Sequence, residues 1–371
     1  MKINRFKVML VEIPMRFSVE HSLAKRATAK NVLLAAYSEG QKVGWGESCP
    51  REYVTGETLD SVVNTLENTL CPYFEGREFS SFAQLVTALS EKGSRMERNQ
   101  LAAFCALEMA LLDVAGKFFH ESAGTVLGPI IHERVHYSAV IAFEDPQAVA
   151  EAAKMIQQAH FQEIKVKLGK DLDNNRNILR IARDILGEDV SLRGDANCAW
   201  DGQESISQLE ALAEFNLQGI EQPVPSEDTR GLKMITAARI TPVAVDESLC
   251  SVTDAEMLIA EKACNIFNIR ISKCGGLLNA QRIYQLAEKN GLRCQLGAQV
   301  GETGLLSAAG RHLACRCPDL IWLEGSYGRL LLEEELCEPD LTIGPQGIGM
   351  ALDTDGIGVE PIAEMLEKYL V

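Results

Sequence analysis

Residues 190–248, VSLRGDANCAWDGQESISQLEALAEFNLQGIEQPVPSEDTRGLKMITAARITPVAVDES, decide the fold. Three short apolar stretches, 190–195, 218–221 and 243–246, each read as a strand ending in one acid: Asp195, Glu221 and Asp246. Between the first two lies an amphipathic helical stretch, 203–214. Outward from this run the same strand–helix rhythm continues. Further strand candidates are 135–142, 163–167, 265–270, 292–296 and 319–323, with helical stretches such as 147–159, 172–186, 276–290 and 304–315. Eight strands alternating with helices suit a closed parallel (β/α)₈ barrel better than an open sheet. No Gly-x-Gly-x-x-Gly follows the first strand, which argues against a dinucleotide site.

The pattern ahead of the barrel is different. Stretches 3–13, Asn31 to Tyr37 and Lys42 to Glu47 read as strands, with a turn at Ser38-Glu39-Gly40-Gln41. Helical patterns follow from about residue 57, the clearest being LAAFCALEMALLDVAGKF from Leu101 to Phe118. That helix is apolar nearly all round, so it belongs between layers. The expected architecture is α/β: an α+β domain over 1–127, a catalytic barrel over 128–325, and a C-terminal segment, 326–371, packing back on the first domain.

Composition narrows the partners. Of 371 residues, 46% are hydrophobic and 24% charged, as in an ordinary globular protein. A formal net charge of −16 argues against nucleic acid or an anionic membrane, both of which need clustered Lys and Arg. A small anionic substrate stays open, because a bound metal and a few lysines can reverse the local field. None of the eleven cysteines forms a Cys-x-x-Cys pair and many fall in apolar runs, so reduced, structural thiols and a cytoplasmic location are expected. The N-terminus runs into strand-like alternation rather than a signal peptide, and no apolar stretch nears the ~18–20 residues that cross a bilayer.

In a barrel of this kind, functional side chains stand at the C-terminal ends of the strands. Neighbouring strands lie ~4.8 Å apart, so Asp195, Glu221 and Asp246 can converge on one hard cation, and oxygen-only ligation suits Mg²⁺ best. On the second strand, Lys165 and Lys167 alternate to the same face, toward the interior. Mutual repulsion and burial are expected to depress their pKa despite the nearby acids, as a general base requires. Lys273 follows the sixth strand, diametrically opposite the second, before a Gly-Gly turn. Lys167 and Lys273 would then flank a substrate held over the metal. A proton next to a carboxylate is too weakly acidic for a lysine alone; a cation and a protonated Lys165 on the carboxylate oxygens would stabilise the enediolate.

The order Lys-x-Lys (165–167), Asp-Ala-Asn (195–197), Gly-Ile-Glu-Gln-Pro (219–223), Asp-Glu-Ser (246–248) and Ser-Lys-Cys-Gly-Gly (272–276) strongly resembles the enolase superfamily, specifically its muconate lactonizing enzyme subgroup. Gly44-Trp45-Gly46-Glu47, Pro50 and Thr55-Gly56-Glu57 look like that family's N-terminal capping domain, so the resemblance covers nearly the whole chain. It implies one Mg²⁺ per subunit, with Mn²⁺ as a substitute, held by Asp195, Glu221 and Asp246. It further implies acid/base roles for Lys167 and Lys273, electrostatic help from Lys165, support from Asn197 and Glu247, and a homo-oligomer.

The departures also inform. The end of the seventh strand reads Gln295-Leu296-Gly297-Ala298-Gln299, without the His of the mandelate racemase subgroup. The eighth ends Trp322-Leu323-Glu324-Gly325-Ser326, with one carboxylate where dipeptide epimerases carry Asp-x-Asp; Glu324 is compatible with a muconate cycloisomerase or with pairing to a substrate ammonium. In the family, loops corresponding to Met15–Lys30 and Cys49–Glu57 close over the mouth, making Arg16, Arg51 and Tyr53 candidate substrate contacts. Glu302 is expected to cap the following helix. The expected function is racemisation or epimerisation of an amino-acid- or dipeptide-like acid. The alternatives are a cycloisomerase or dehydratase and, more distantly, a non-catalytic binding barrel.

Overall fold

The computed structural model describes residues 1–21, 24–142 and 145–371, with side chains outside residues 18–25. The chain opens with an antiparallel sheet of β1 (Ile3–His21), β2 (Ala24–Ser38) and β3 (Val43–Ser48). The expected link between Met15 and Lys30 is instead mostly strand: pairing resumes at Val19 opposite Arg26 after a register shift that begins at Pro14. The alternating apolar pattern persists through Met15 and Phe17, and a bulge absorbs the mismatch. Residues 22–23, part of the expected lid, lie outside the described residues.

Helix Leu101–Phe119 packs on β3, and its first sixteen residues, Leu101 to Gly116, are all buried. The contact is close because of two glycines. A Cβ on Gly44 would come within 2.2 Å of the Val114 nitrogen, and one on Gly46 within 2.0 Å of the Ala106 carbonyl oxygen. Gly-Trp-Gly-Glu is thus a packing requirement of strand against helix backbone.

The stretch expected as the first barrel strand splits in two. Strand β4 (Arg134–His136) pairs antiparallel with Ile348–Met350, and β5 (Ala139–Ile141) begins the barrel. The barrel continues with β6 (Glu163–Lys167), β7 (Ser191–Asp195), β8 (Ile220–Glu221), β9 (Val243–Val245), β10 (Ile266–Ile269), β11 (Arg293–Leu296) and β12 (Leu320–Leu323). Neighbours in sequence are neighbours in the sheet, and the pairing is parallel throughout. Between β12 and β5 the curled sheet has no ladder; the Ser138 N–H donates to the Leu323 carbonyl across the seam at 2.7 Å. The C-terminal segment returns to the first sheet, where the Val371 N–H donates to the Leu10 carbonyl. No helix among the described residues is long and apolar enough to cross a membrane.

Buried acids fasten the first sheet and helix to the barrel. Glu47 on β3 accepts from the Thr303 hydroxyl at 2.8 Å and from the Leu306 N–H at 3.0 Å, capping helix Gly304–Arg316 from across the interface. Glu108 accepts from the Leu277 and Leu278 N–H groups, capping helix Leu277–Lys289. Each satisfies orphan donors and meets the positive end of a helix dipole. Burial dominates their titration, raising Glu47 to about 7 and Glu108 to about 8 from 4.5, against the hydrogen bonds that pull downward. A carboxyl whose folded pKa lies above its unfolded value stabilises most below the unfolded value and loses that contribution as pH rises through the folded one.

Two outcomes follow. Gly46→Ala should lower stability by about 1–3 kcal/mol or more through overpacking, seen as a lower thermal midpoint; an unchanged midpoint would mean strand and helix separate without cost. The thermal midpoint of the wild type should fall between pH 5 and pH 9. Glu108→Gln, which cannot ionise, should flatten the decline; a variant with the full wild-type slope would assign it to other groups.

Candidate active site

Alternation and parallel register assemble the site. Lys165 and Lys167 on β6 stand opposite Arg193 and Asp195 on β7, and Asp195 stands opposite Glu221 on β8. Asp246 follows the last residue of β9. Asp195, Glu221 and Asp246, at most 1% exposed, form a row along three consecutive strand ends.

Cations run between them. Lys167 Nζ is 2.7 Å from Asp195 Oδ2 and donates to Asn197 Oδ1 at 2.5 Å. Lys165 Nζ bridges Asp195 at 3.2 Å and Glu221 at 3.3 Å. The Arg270 guanidinium reaches Glu221 at 3.8 Å and pairs directly with Asp246. Lys273 Nζ donates to Asp246 Oδ1 at 2.7 Å and to the Asp246 and Asn268 carbonyls at 2.6 and 3.1 Å. One line of contacts therefore joins Lys167, Asp195, Lys165, Glu221, Arg270, Asp246 and Lys273, with a lysine at each end. As the side chains stand, no three His, Cys, Asp or Glu side chains among the described residues are placed to hold one metal ion; ammonium and guanidinium groups lie between the acids.

The acids respond unequally. Burial, reinforced by Asp195, Glu324 and Asp246, raises Glu221 to about 7 although Lys165 opposes it. Asp246 is also pushed up by burial, but Arg270 and Lys273 outweigh this and hold it below the ordinary carboxylate value. The expected depression is reversed for Lys165. Burial is the largest influence on Lys165 and lowers its pKa, yet Glu221, Glu324 and Asp195 together carry it above the ordinary lysine value. Lys273 goes the same way, with Asp246 overcoming burial. Three carboxylates around one ammonium outweigh its repulsion from neighbouring cations.

The other predicted residues divide. Glu324 is buried between Lys165, at 2.7 Å, and Arg193, at 2.6 Å. Burial pushes its pKa up, but those two cations bring it down to about 2. Tyr53 lines the cavity at the mouth. Arg16 and Arg51, expected at the substrate, are instead committed to backbone carbonyls. Arg16 Nε donates to Arg329 and Leu332 oxygens at 2.6 and 3.1 Å, strapping the first hairpin to the C-terminal segment. Arg51, 1% exposed, donates to the Pro50 oxygen at 2.7 Å and to the Val300 oxygen. Glu247 lies buried beside Asp246 and its charge acts on Arg270. The capping expected of Glu302 falls to Thr303 and Glu47, while Glu302 accepts from the Gln299 N–H at 2.6 Å.

The sequence reading gave no role to Arg193, Asn268, Arg270 and Gln295. Asn268 donates to Glu221 Oε1 at 3.0 Å, and Gln295 to Oε2 at 2.7 Å. The available signal was a polar residue at alternate positions of an otherwise apolar strand: Arg193 two before Asp195, Arg270 two after Asn268. Gln222 was likewise passed over: its side chain accepts from the Asp246 N–H at 2.9 Å and fixes that loop.

A cavity of about 350 Å³ opens from this network. Its polar wall holds Lys165, Lys167, Arg270, Gln299 and Glu324, and the remainder is mainly apolar. Lys273 is fully buried on Asp246 and is not part of that wall.

A barrel of this order, with charge packed at its strand ends beneath a strand-and-helix cap, defines a class, and two family models match it: residues 4–128 fit "Mandelate racemase / muconate lactonizing enzyme, N-terminal domain", and residues 147–365 fit "Enolase C-terminal domain-like". The chain belongs to the enolase superfamily and is one of its isomerases. It is 28% identical to the N-succinyl-L-Arg/Lys racemase of Bacillus cereus over 85% of this chain and 84% of that protein. The crystal structure of that racemase superposes with a TM-score of 0.91 at 25% identity, covering 100% of this chain and 98% of the other. The L-Ala-D/L-Glu epimerase of Bacillus subtilis is 28% identical over 85% of each chain. A dipeptide epimerase from Enterococcus faecalis, complexed with Mg and the dipeptide L-Leu-L-Tyr, superposes with a TM-score of 0.88 at 25% identity, covering 97% of this chain and 100% of that one.

Arg16→Ala should release the strap between hairpin and C-terminal segment. Faster amide hydrogen exchange is expected across residues 328–333, with helix Leu101–Phe119 unchanged; equal exchange at 328–333 would show that the Arg329, Leu332 and Glu333 carbonyls, which all accept from Arg16, are held by other means.

Proposed function

We propose that the chain is a divalent-metal-dependent racemase or epimerase, which removes and returns the proton next to the carboxylate of a small amino-acid- or dipeptide-like acid. The observation that carries this reading is the position of the two terminal lysines: Lys167 at the Asp195 end of the acid row and Lys273 at the Asp246 end. Inverting a carbon centre needs one group to take the proton and another to return it from the opposite face. In this reading Lys167 and Lys273 are those groups, and Lys273 must leave Asp246 to act.

Asp195, Glu221 and Asp246 would hold the cation, Mg²⁺ with Mn²⁺ as a substitute. The donor set fits in chemistry: three carboxylates on consecutive strands, with Glu221 burdened by neighbouring negative charge. Lys165 and Arg270 now supply the counter-charge and would have to yield part of it. The bound ion would supply Lewis-acid stabilisation of the negative charge that develops on the substrate carboxylate. Lys165, protonated among three acids, suits a permanent positive charge beside that carboxylate better than it suits a base. Asn197 orients Lys167 through its 2.5 Å contact, and Glu247 supports Arg270. The first domain, taken as 1–127, would close the mouth with Tyr53 and exclude water.

The test is exchange of the substrate Cα–H in deuterated water with Mg²⁺, across amino-acid derivatives, dipeptides and muconates. Racemisation should fall by about 10²–10⁴-fold in either Lys167→Ala or Lys273→Ala. Each variant should still wash out the Cα–H of one enantiomer, a different one in each case. A single variant that still racemises would end the two-base reading. Turnover of a muconate with no exchange on any amino-acid derivative would replace it with cycloisomerisation.

A further inference from the structure

The floor of the barrel holds a second charged hollow. A cavity of about 440 Å³ lies where β9, β10 and β11 begin, at the opposite end of the strands from the acid row. Its lining includes Pro242, Asn265 and Leu292, each just ahead of one of those strands, and Arg293, which opens β11. Arg293 shares a face of β11 with Gln295, whose amide lies on Glu221 inside the barrel. It therefore approaches the barrel axis from below. Arg239, left-handed at the end of helix Thr229–Ala238, joins it in the lining.

These groups are donors left without acceptors. The described lining contains no acid, and among the described residues neither guanidinium forms an ion pair or a hydrogen bond. In a chain with 52 acids against 36 lysines and arginines, two guanidiniums left together without a carboxylate need a reason. Thr241 is 8% exposed in the same lining, and its hydroxyl has no partner among the described residues. Asn265 Oδ1 accepts from the Val243 N–H at 2.9 Å, which leaves Nδ2 as a donor. The negative end of helix Thr229–Ala238 accounts for a cation at Arg239. It does not account for Arg293, because helix Leu277–Lys289, which leads into β11, already carries Lys289 in its last turn. Nor does it account for a buried, unpartnered hydroxyl.

Two guanidiniums, a hydroxyl and an amide match an oxyanion, and two full positive charges match a dianion better than a single carboxylate. We propose that the floor of the barrel binds the phosphoryl group of a small phosphate monoester. The hollow leaves room beyond that group, and Pro242 and Leu292 offer an apolar wall to the organic part.

The experiment is titration calorimetry on the full chain, free of divalent metal and at about 0.15 M salt, with inorganic phosphate, glycerol 3-phosphate and glycerate. Both phosphates should bind, the ester more tightly, and glycerate should bind at least about tenfold more weakly than the ester. Arg239→Ser and Arg293→Ser, both at exposed positions, should each weaken the ester by about tenfold or more, and Thr241→Val, which keeps the side chain's shape, by about threefold. Thermal midpoints in phosphate-free buffer check that each variant is folded. Lys167→Ala should leave binding unchanged, since the cations at the mouth are the other place where phosphate could sit. Binding that survives both arginine substitutions, disappears in Lys167→Ala or is equal for glycerate overturns the inference, as does no heat with either phosphate up to about 10 mM. None of these outcomes depends on the chemistry proposed at the mouth.

Discussion

Charge balance at the strand ends is the constraint on which the site depends. Three carboxylates buried side by side cannot remain ionised without compensation, since each raises the others' pKa and burial raises all of them. The chain answers with cations on neighbouring strands: Lys165 and Lys167 before the row, Arg270 and Lys273 after it. Glu324 and Arg193 close the circuit on the far side. The alternation of acid and base around the barrel mouth follows from parallel register, which brings side chains at equal height on adjacent strands into contact.

The same economy governs the joint between cap and barrel. Glu47 and Glu108 leave their own elements to satisfy the first N–H groups of barrel helices. A helix start buried beneath another layer cannot use water, so an acid from the opposing layer replaces it. Gly44 and Gly46 let strand β3, which carries Glu47, lie against helix Leu101–Phe119, which carries Glu108. The position of the mouth therefore depends on residues far from any chemistry, and the Arg16 strap extends the arrangement to the C-terminal segment that walls the cavity.

Most of the scaffold was legible because period and punctuation are local properties. The strand boundaries at 163–167, 191–195, 266–269 and 320–323, and the helices at 172–186 and 304–316, fall within a residue or two of where hydrophobic alternation places them. The expected strand 135–142 failed because two partners compete for it: Ile348–Met350 takes one half and the barrel the other. That competitor lies more than two hundred residues away, beyond any window of local pattern. The hairpin beyond Met15 was read as loop because its register shift breaks the pairing without breaking either strand.

The sequence by itself determined the identity and order of the chemical groups: three acids closing three consecutive strands, two lysines two residues apart, and a third before Gly-Gly. Only the tertiary structure decided what each group faces. It turned Arg16 and Arg51 away to backbone carbonyls and committed Glu324 to Lys165 and Arg193. It also made Lys165 more basic than a free lysine rather than less. Which way a buried charge titrates depends on the sum of burial and every neighbour within a few ångströms, and those neighbours come from six strands, β6 to β10 and β12, and the loops that follow them.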